Sequence, residues 1–202
     1  MITRVKAINN LKKYLGQDLS LLAEGFNVTT FLNGKQNKGW KGLVLERCAG
    51  LDNNNISAPN GIGFELKSVS FLEKKGVLVA KETMAITMLN QEKLRKQDFY
   101  ESGLWEKLKS LVFCAVEWKG TNDKNVKFLD VTSFDFQDEQ ELIDEIKADY
   151  DFIRNKLITQ GFEALTGRDG KWIQARTKGA GHGSTSRAFY AKTGLVNRIF
   201  TR

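Results

Sequence analysis

The first part of the chain has apolar residues at helical spacing in three segments. Thr3 can cap the first helix, whose apolar positions Val5, Ile8, Leu11 and Leu15 precede Gly16. A second short helix is predicted for residues 19–24. The third is predicted in "GWKGLVLERCAG", which ends on Gly50 and contains Glu46.

From Gly61 the hydrophobic period changes to two, which is typical of a β-strand. The apolar residues Ile62, Phe64 and Leu66 alternate with Gly63, Glu65 and Lys67. One face of this strand is therefore predicted to be apolar, and the other to carry a carboxylate and an amine. The stretches "GVLVAK" and "TMAITML" predict further strands.

The second half of the chain also predicts mixed α and β structure. A helix in "ESGLWEKLK" precedes "SLVFCAVEW" and "VKFLDVTSF", which predict a hairpin or neighbouring strands. Acidic residues from Asp138 open the clearest helix, which ends at Gly161 and has one apolar side, formed by Leu142, Ile146, Ile153 and Leu157. Beyond it come a strand in "KWIQAR", the loop "TKGAGHGSTS", a strand in "RAFYAK" and a short helix.

These elements, without a linker or an internal repeat, predict one α/β domain over residues 1–202 with a mixed sheet flanked by helices. We expect a larger lobe over about residues 1–160 and a basic C-terminal lobe over about residues 161–202. A chain of 202 residues that is 41% hydrophobic can bury one substantial core.

Composition excludes several classes of protein. No apolar run approaches the roughly 18 residues of a membrane span, and the first twenty residues lack a signal-peptide core, so we expect a soluble, cytoplasmic protein. Cys48 and Cys114 are too few for a disulfide framework, and His182 is the only histidine, which leaves too few ligands for a classical zinc site. Both cysteines are predicted to be small buried hydrophobes.

The net charge of +7 is concentrated at the C-terminal end. From Ala164 onward there are eight basic residues and one acid, whereas the first 163 residues contain 23 of each. Such a segment suits a phosphate-rich partner, because lysines and arginines that neutralise phosphates release condensed counterions. On charge alone, a solvated basic face explains the segment equally well.

Glu65 and Lys67, two residues apart on a strand, can share one small volume. A carboxylate can hold Mg²⁺, and an ammonium group can orient water and offset charge on a phosphate, as phosphodiester hydrolysis requires. The alternative is an exposed ion pair. Asn60, which follows the only proline, Pro59, can offer a carbonyl oxygen, but Pro-Asn-Gly is also favourable turn chemistry. Glu46 is either a further acidic group of this site or a solvated helix residue.

Four ordered stretches carry a family resemblance. "KGWKGLVLERCAG", "APNGIGFELKSV", "SGLWEKLKSLVFCAVEW" and "QARTKGAGHGSTSRAFYAK" resemble the MutH-like branch of the PD-(D/E)xK nucleases, which includes a mismatch-repair nickase and type II restriction endonucleases. The resemblance spans roughly residues 38–198. It implies a restriction-endonuclease-like fold and Mg²⁺-dependent cleavage of double-stranded DNA.

The same resemblance implies roles for individual residues. Catalytic roles fall on Glu46, Asn60, Glu65, Lys67 and Lys107, and a Mg²⁺ site on Asn60, Glu65 and Leu66. DNA-recognition roles fall on Arg176, Lys178, His182, Arg187, Tyr190 and Lys192. From the residues alone, Arg176 and Lys178 can donate to guanine or to phosphates, and Tyr190 can reach a base edge. His182 is either a base or phosphate contact or a solvated loop residue.

Asn60 departs from the family pattern, which has aspartate at this position. Either the chain is a natural variant with weak or no cleavage, or an Asp→Asn change has been introduced to trap an uncut DNA complex. The second explanation is favoured because Glu46, Glu65, Lys67 and Lys107 all remain.

The leading hypothesis is therefore a type II restriction endonuclease of a restriction-modification system, in a form inactivated at residue 60. A MutH-type repair nickase and a pseudo-nuclease that binds specific DNA without cutting it are the alternatives. A GATC-containing target is the first guess, and both a monomer and a DNA-induced dimer are compatible with the sequence.

Overall fold

The computed structural model describes residues 2–32, 35–51, 59–120, 125–178 and 186–201. The chain forms two compact units. The first comprises Met1–Glu82 and Ser110–Phe134, and the second comprises Thr83–Lys109 and Asp135–Arg202. The second unit thus contains the predicted basic lobe together with residues 83–109 and 135–160.

The elements follow one another in mixed order. The helices are α1 (Arg4–Lys12), α2 (Leu19–Gly25), α3 (Trp40–Ala49), α4 (Gln91–Lys96), α5 (Gly103–Leu108), α6 (Gln140–Gln160) and α7 (Thr193–Phe200). The strands are β1 (Phe31–Leu32), β2 (Lys35–Gln36), β3 (Glu65–Lys74), β4 (Val77–Ala80), β5 (Met84–Met88), β6 (Ser110–Glu117), β7 (Phe128–Asp135), β8 (Ile173–Thr177) and β9 (Arg187–Ala191). Short 3-10 turns cover Phe99–Glu101, Phe136–Asp138 and Phe162–Ala164.

The first unit is built on a four-stranded mixed sheet in the order β4-β3-β6-β7. Strand β3 pairs parallel with β6, with Glu65 opposite Leu111, and antiparallel with β4. Helices α1, α2 and α3 share one apolar core with β3, β6 and β7, in which Trp40 and Leu66 are buried. This packing fixes α3 above the beginning of β3.

Strand β3 starts four residues later than predicted. The N–H of Gly61 donates to the carbonyl of Phe64, and Gly63 has a φ of 71°, so residues 61–64 form a tight turn instead of a strand. Ile62 is consequently 52% exposed, and the prediction that it belongs to an apolar strand face is wrong. A side chain at Gly61 would collide with the ring of Phe64, so glycine is required there.

The predicted apolar face of α1 also needs correction. Thr3 does cap the helix, since its hydroxyl accepts a hydrogen bond from the N–H of Lys6. Val5, however, is 68% exposed, and the buried residues are Ala7 and Leu11. The buried side of α1 thus includes its smallest apolar side chain, Ala7, which the spacing of the larger residues does not reveal.

The second unit contains an antiparallel sheet in the order β5-β9-β8. Helix α6 packs on β8, and the ring of Tyr150 stacks on Phe189. The carboxylate of Asp149, buried on α6, accepts hydrogen bonds from the three N–H groups of residues 171–173. This carboxylate therefore fixes the chain at the start of β8.

Most sequence predictions of elements are confirmed. Helix α3 ends before Gly50, whose φ of 82° is left-handed, and β6 and β7 are neighbours as expected. On α6 the four predicted apolar residues are all buried. Cys48 and Cys114 are both buried, and burial raises the pKa of the Cys48 thiol to about 12. None of the helices within the described ranges is long and apolar enough to cross a bilayer.

Candidate active site and nucleic-acid surface

Three neighbouring pieces of the first unit bring four of the five predicted catalytic residues together. Glu46 comes from α3, Asn60 from the turn before β3, and Glu65 and Lys67 from the beginning of β3. Glu65 is only 3% exposed, and Glu46 and Asn60 are half-buried. The site lies at the edge of the apolar core, where charges are less screened than in water.

The side chain of Asn60 links both glutamates and the strand. Its Nδ2 donates to Oε1 of Glu46 at 3.1 Å, and its Oδ1 accepts from the N–H of Leu66 at 3.2 Å. The backbone N–H of Asn60 donates to Oε2 of Glu65 at 3.1 Å. The amide orientation follows from its partners, because a backbone N–H needs an acceptor and a carboxylate needs a donor.

Glu65 and Lys67 form a close ion pair. Nζ of Lys67 lies 2.8 Å from Oε1 of Glu65, and the lysine side chain is 17% exposed. The i and i+2 positions do place both side chains on one side of β3, as the sequence predicts. The exposed pair considered as an alternative is not what the structure contains, because the carboxylate is buried.

The pKa of Glu46 is raised above its ordinary value. The main cause is burial, and the negative charge of Glu65 adds to it, while Lys67 and the hydrogen bond from Asn60 act in the opposite direction. Glu46 is thus not a fully solvated helix residue. Two carboxyl groups that disfavour each other's charge are typical of sites that bind a cation.

The donor set, as it stands, does not fit a tight Mg²⁺ site. Mg²⁺ prefers charged oxygen ligands, but residue 60 supplies a neutral amide whose nitrogen faces Glu46. Both oxygens of Glu65 already accept hydrogen bonds, from Asn60 and Lys67. Within the described ranges no group of three or more histidine, cysteine, aspartate or glutamate side chains could hold a metal ion. The metal roles of Asn60, Glu65 and Leu66 therefore stay predictions.

Lys107 belongs to the other unit. It lies on α5, half-buried, in the last turn of that helix. Its predicted catalytic role stays a prediction.

Two predicted recognition residues meet on the sheet of the second unit. The guanidinium of Arg176 lies over the ring of Tyr190, 4.4 Å from its centroid, and its Nη2 donates to Oγ1 of Thr83 at 2.9 Å. Arg176 and Lys178 are exposed at the end of β8. The backbone N–H of Lys178 donates to the carbonyl of Ser186. Two basic residues are therefore exposed at the end of β8.

The other predicted recognition residues are placed differently. Arg187 is 8% exposed, and its Nη2 donates to Oε2 of Glu163 at 3.3 Å. Nζ of Lys192 donates to the carbonyls of Gly170 and Arg168, at 2.5 Å and 3.5 Å. His182 lies outside the described residues. DNA-binding roles for these three residues stay predictions.

The chain is similar to one protein family over part of its length. The model of the family described as "DNA mismatch repair enzyme MutH" matches residues 52–149, which include Asn60, Glu65, Lys67 and Lys107. Over these residues the chain is similar to MutH. Its mixed α/β architecture, with sheets packed against helices, agrees with the restriction-endonuclease-like fold that the resemblance implies. Glu46 and the predicted recognition segment lie outside the matched residues.

A solved structure is also similar to this chain. It is described as a restriction endonuclease MvaI-cognate DNA substrate complex, and the match covers 98% of this chain and 97% of that chain. The identity is 12% and the TM-score 0.39, so this likeness carries no functional argument. Among curated proteins, none is significantly similar in sequence.

Sequence reasoning missed several residues that contact the predicted recognition arginines. Thr83 holds Arg176, and Glu163 and Phe162 contact Arg187, with the Phe162 ring centroid 4.9 Å from the guanidinium carbon. These partners are separated from the arginines by between 24 and 93 positions. No local spacing could have indicated them.

Proposed function

We propose that this chain is a sequence-specific DNA endonuclease of the type II restriction class whose cleavage is suppressed by Asn60. The observation that carries the proposal is the position of the Asn60 amide, hydrogen-bonded to Glu46 through its side chain and to Glu65 through its backbone. The MutH family match over residues 52–149 supports the nuclease assignment.

The remaining residues suit phosphodiester hydrolysis. The ammonium of Lys67, held 2.8 Å from Glu65, can orient a water molecule and offset the charge that grows on the phosphate. Burial of Glu65 keeps this pair in a fixed geometry, because a buried carboxylate needs its partner. Both features favour a hydrolytic site over a surface ion pair.

Asparagine at position 60 explains why the site is suppressed. An aspartate there would turn the donor to Glu46 into a third carboxylate, and the resulting repulsion would favour a bound cation. Mg²⁺ would then supply Lewis-acid stabilisation of the phosphate. The asparagine instead satisfies Glu46 with a hydrogen bond and leaves the site closed to Mg²⁺.

A pseudo-nuclease that binds specific DNA without cutting it is the second candidate. The same hydrogen bond from Asn60 to Glu46 favours this candidate, because it satisfies the Glu46 carboxylate without a bound cation. A MutH-type nickase differs from the restriction enzyme in its product, a single-strand cut stimulated by a repair partner.

A plasmid assay separates these functions. The chain and its Asn60→Asp variant are incubated with supercoiled, GATC-containing plasmid in Mg²⁺ and in EDTA. Linear product formed only by the aspartate variant in Mg²⁺ supports a suppressed restriction enzyme, and open circles support a nickase. If neither protein cuts while both protect a specific site from footprinting, the endonuclease proposal is wrong. Asn155→Asp, on the exposed side of α6, is the matched control.

A further inference from the structure

A cavity of about 520 Å³ lies in the second unit, apart from the catalytic residues described above. It is formed by the end of β5, the start of α4, the Phe162–Ala164 turn and the beginning of β9. Its polar lining residues are Asn90, Gln91, Ser186 and Arg187, together with one acid, Glu92, which is exposed. None of the catalytic residues contributes to it.

Arg187 is the unusual member of this lining. Its side chain is 9% exposed, and its guanidinium lies over the ring of Phe162. Its ion pair with Glu163 is long, at 3.3 Å, and Glu163 is 84% exposed, so water screens much of that attraction. The buried Nε has no hydrogen-bond partner within the described part of the chain.

A buried N–H without a partner costs free energy, and a buried charge with one exposed partner is incompletely compensated. A ligand that brings acceptor oxygens and negative charge into the cavity would give the guanidinium a second, negatively charged partner. The guanidinium fork matches the geometry of phosphate oxygens, and the neutral amide and hydroxyl groups of the lining can donate to the remaining oxygens.

We propose that this cavity is a phosphate-binding site with Arg187 as its anchor. The ligand is a phosphate monoester or diester, carried either by a free molecule or by the DNA backbone. The assignment of DNA as the source of the phosphate rests on the proposed function. The assignment of the cavity as a phosphate-binding site does not depend on that function. This role is not base reading, because a guanidinium buried to this extent cannot enter a groove.

Glu163 offers the sharpest test, because it competes with the ligand for Arg187 and is too exposed to matter for folding. Binding of inorganic phosphate is measured by chemical-shift titration of backbone amides and by calorimetry. Glu163→Gln is expected to bind phosphate about threefold more tightly, since an exposed competing ion pair is removed. Arg187→Gln is expected to bind at least about tenfold more weakly.

The matched control is Arg198→Gln, which removes a guanidinium paired with Glu139 outside the cavity and should change phosphate affinity less than about twofold. If Glu163→Gln binds phosphate no more tightly than the parent chain, the proposal is overturned. This result decides the matter even if Arg187→Gln does not fold, which near-ultraviolet circular dichroism would reveal.

A second titration uses a short DNA duplex in place of phosphate. Tighter duplex binding by Glu163→Gln supports the DNA backbone as the source, and an unchanged duplex affinity with tighter phosphate binding supports a free phosphate ligand. Neither titration depends on cleavage. An Asn60→Asp variant that fails to cut DNA would therefore refute the proposed nuclease without affecting the phosphate site.

Discussion

Asn60 and Glu46, fourteen positions apart in sequence, are joined by a 3.1 Å hydrogen bond from the amide nitrogen to the carboxylate. The same amide accepts the N–H of Leu66, so it spans the gap between α3 and β3. The neutral amide of Asn60 thus donates to Glu46. If residue 60 were acidic, a cation would be needed there to offset the repulsion between the two carboxylates.

The raised pKa of Glu46 predicts a pH-dependent effect of Glu46→Gln. When the pKa of a carboxyl group is higher in the folded than in the unfolded state, the folded protein loses stability as the pH rises above the ordinary pKa of that group, which is 4.5 for Glu46. The parent chain should therefore lose stability between pH 4 and pH 7 relative to the variant, which cannot ionise there. Chemical denaturation of both proteins at the two pH values measures this difference. A difference that does not change with pH would show that Glu46 is not destabilised by burial and by Glu65.

Lys67→Ala is expected to destabilise the fold by roughly 3 kcal/mol, because it leaves a buried carboxylate without its ion-pair partner. The matched control is Lys109→Ala, whose partner Glu106 is 52% exposed, and its cost should stay below about 1 kcal/mol. Equal losses measured by urea denaturation would contradict the buried pair. Adding Glu65→Gln to Lys67→Ala should recover part of the lost stability.

Lys178→Ala is expected to weaken binding to the specific target far more than binding to unrelated DNA, if this residue reads base edges. Lys12→Ala, on the exposed side of α1, should instead change both affinities alike, since it can contribute only phosphate contacts. Fluorescence anisotropy with the two duplexes at fixed salt gives both ratios. Equal losses for Lys178→Ala on both duplexes would remove the base-reading role.

The contact between Arg176 and Tyr190 predicts that the two residues act together in DNA binding. Because the ring holds the guanidinium in place, Arg176→Ala and Tyr190→Leu should show a coupling energy of about 0.5–1 kcal/mol in a double-mutant cycle of specific DNA affinity. Thr83→Val removes the other contact of Arg176 and should produce a smaller loss. Strictly additive losses would mean that the stacked arrangement does not persist on DNA.

Local signals explain what the sequence predicts correctly. Helix α3 and its end at Gly50 depend on apolar spacing and on a glycine in the left-handed region, and both can be recognised within a dozen residues. The pairing of Glu65 with Lys67 depends on strand periodicity alone.

Features that need tertiary packing could not be predicted in the same way. The turn at Gly61 depends on where the ring of Phe64 packs, and the burial of Arg187 depends on Phe162 and Glu163. The hydrogen bond of Asn60 to Glu46 requires α3 to lie above the start of β3, which only the shared core determines. The sequence motifs indicated Asn60 and Glu46 as site residues, but not which of their groups donate and which accept.

Binding of Mg²⁺ to the Asn60→Asp variant tests the central claim most directly. Isothermal titration of Mg²⁺ into the parent chain, into Asn60→Asp and into Asn60→Asp with Glu65→Gln compares the three donor sets without requiring DNA. We predict saturable binding by Asn60→Asp that is at least about tenfold tighter than in the other two proteins, because a charged oxygen ligand is gained. Equal Mg²⁺ affinity of the parent chain and Asn60→Asp would contradict the account of a nuclease metal site neutralised by Asn60.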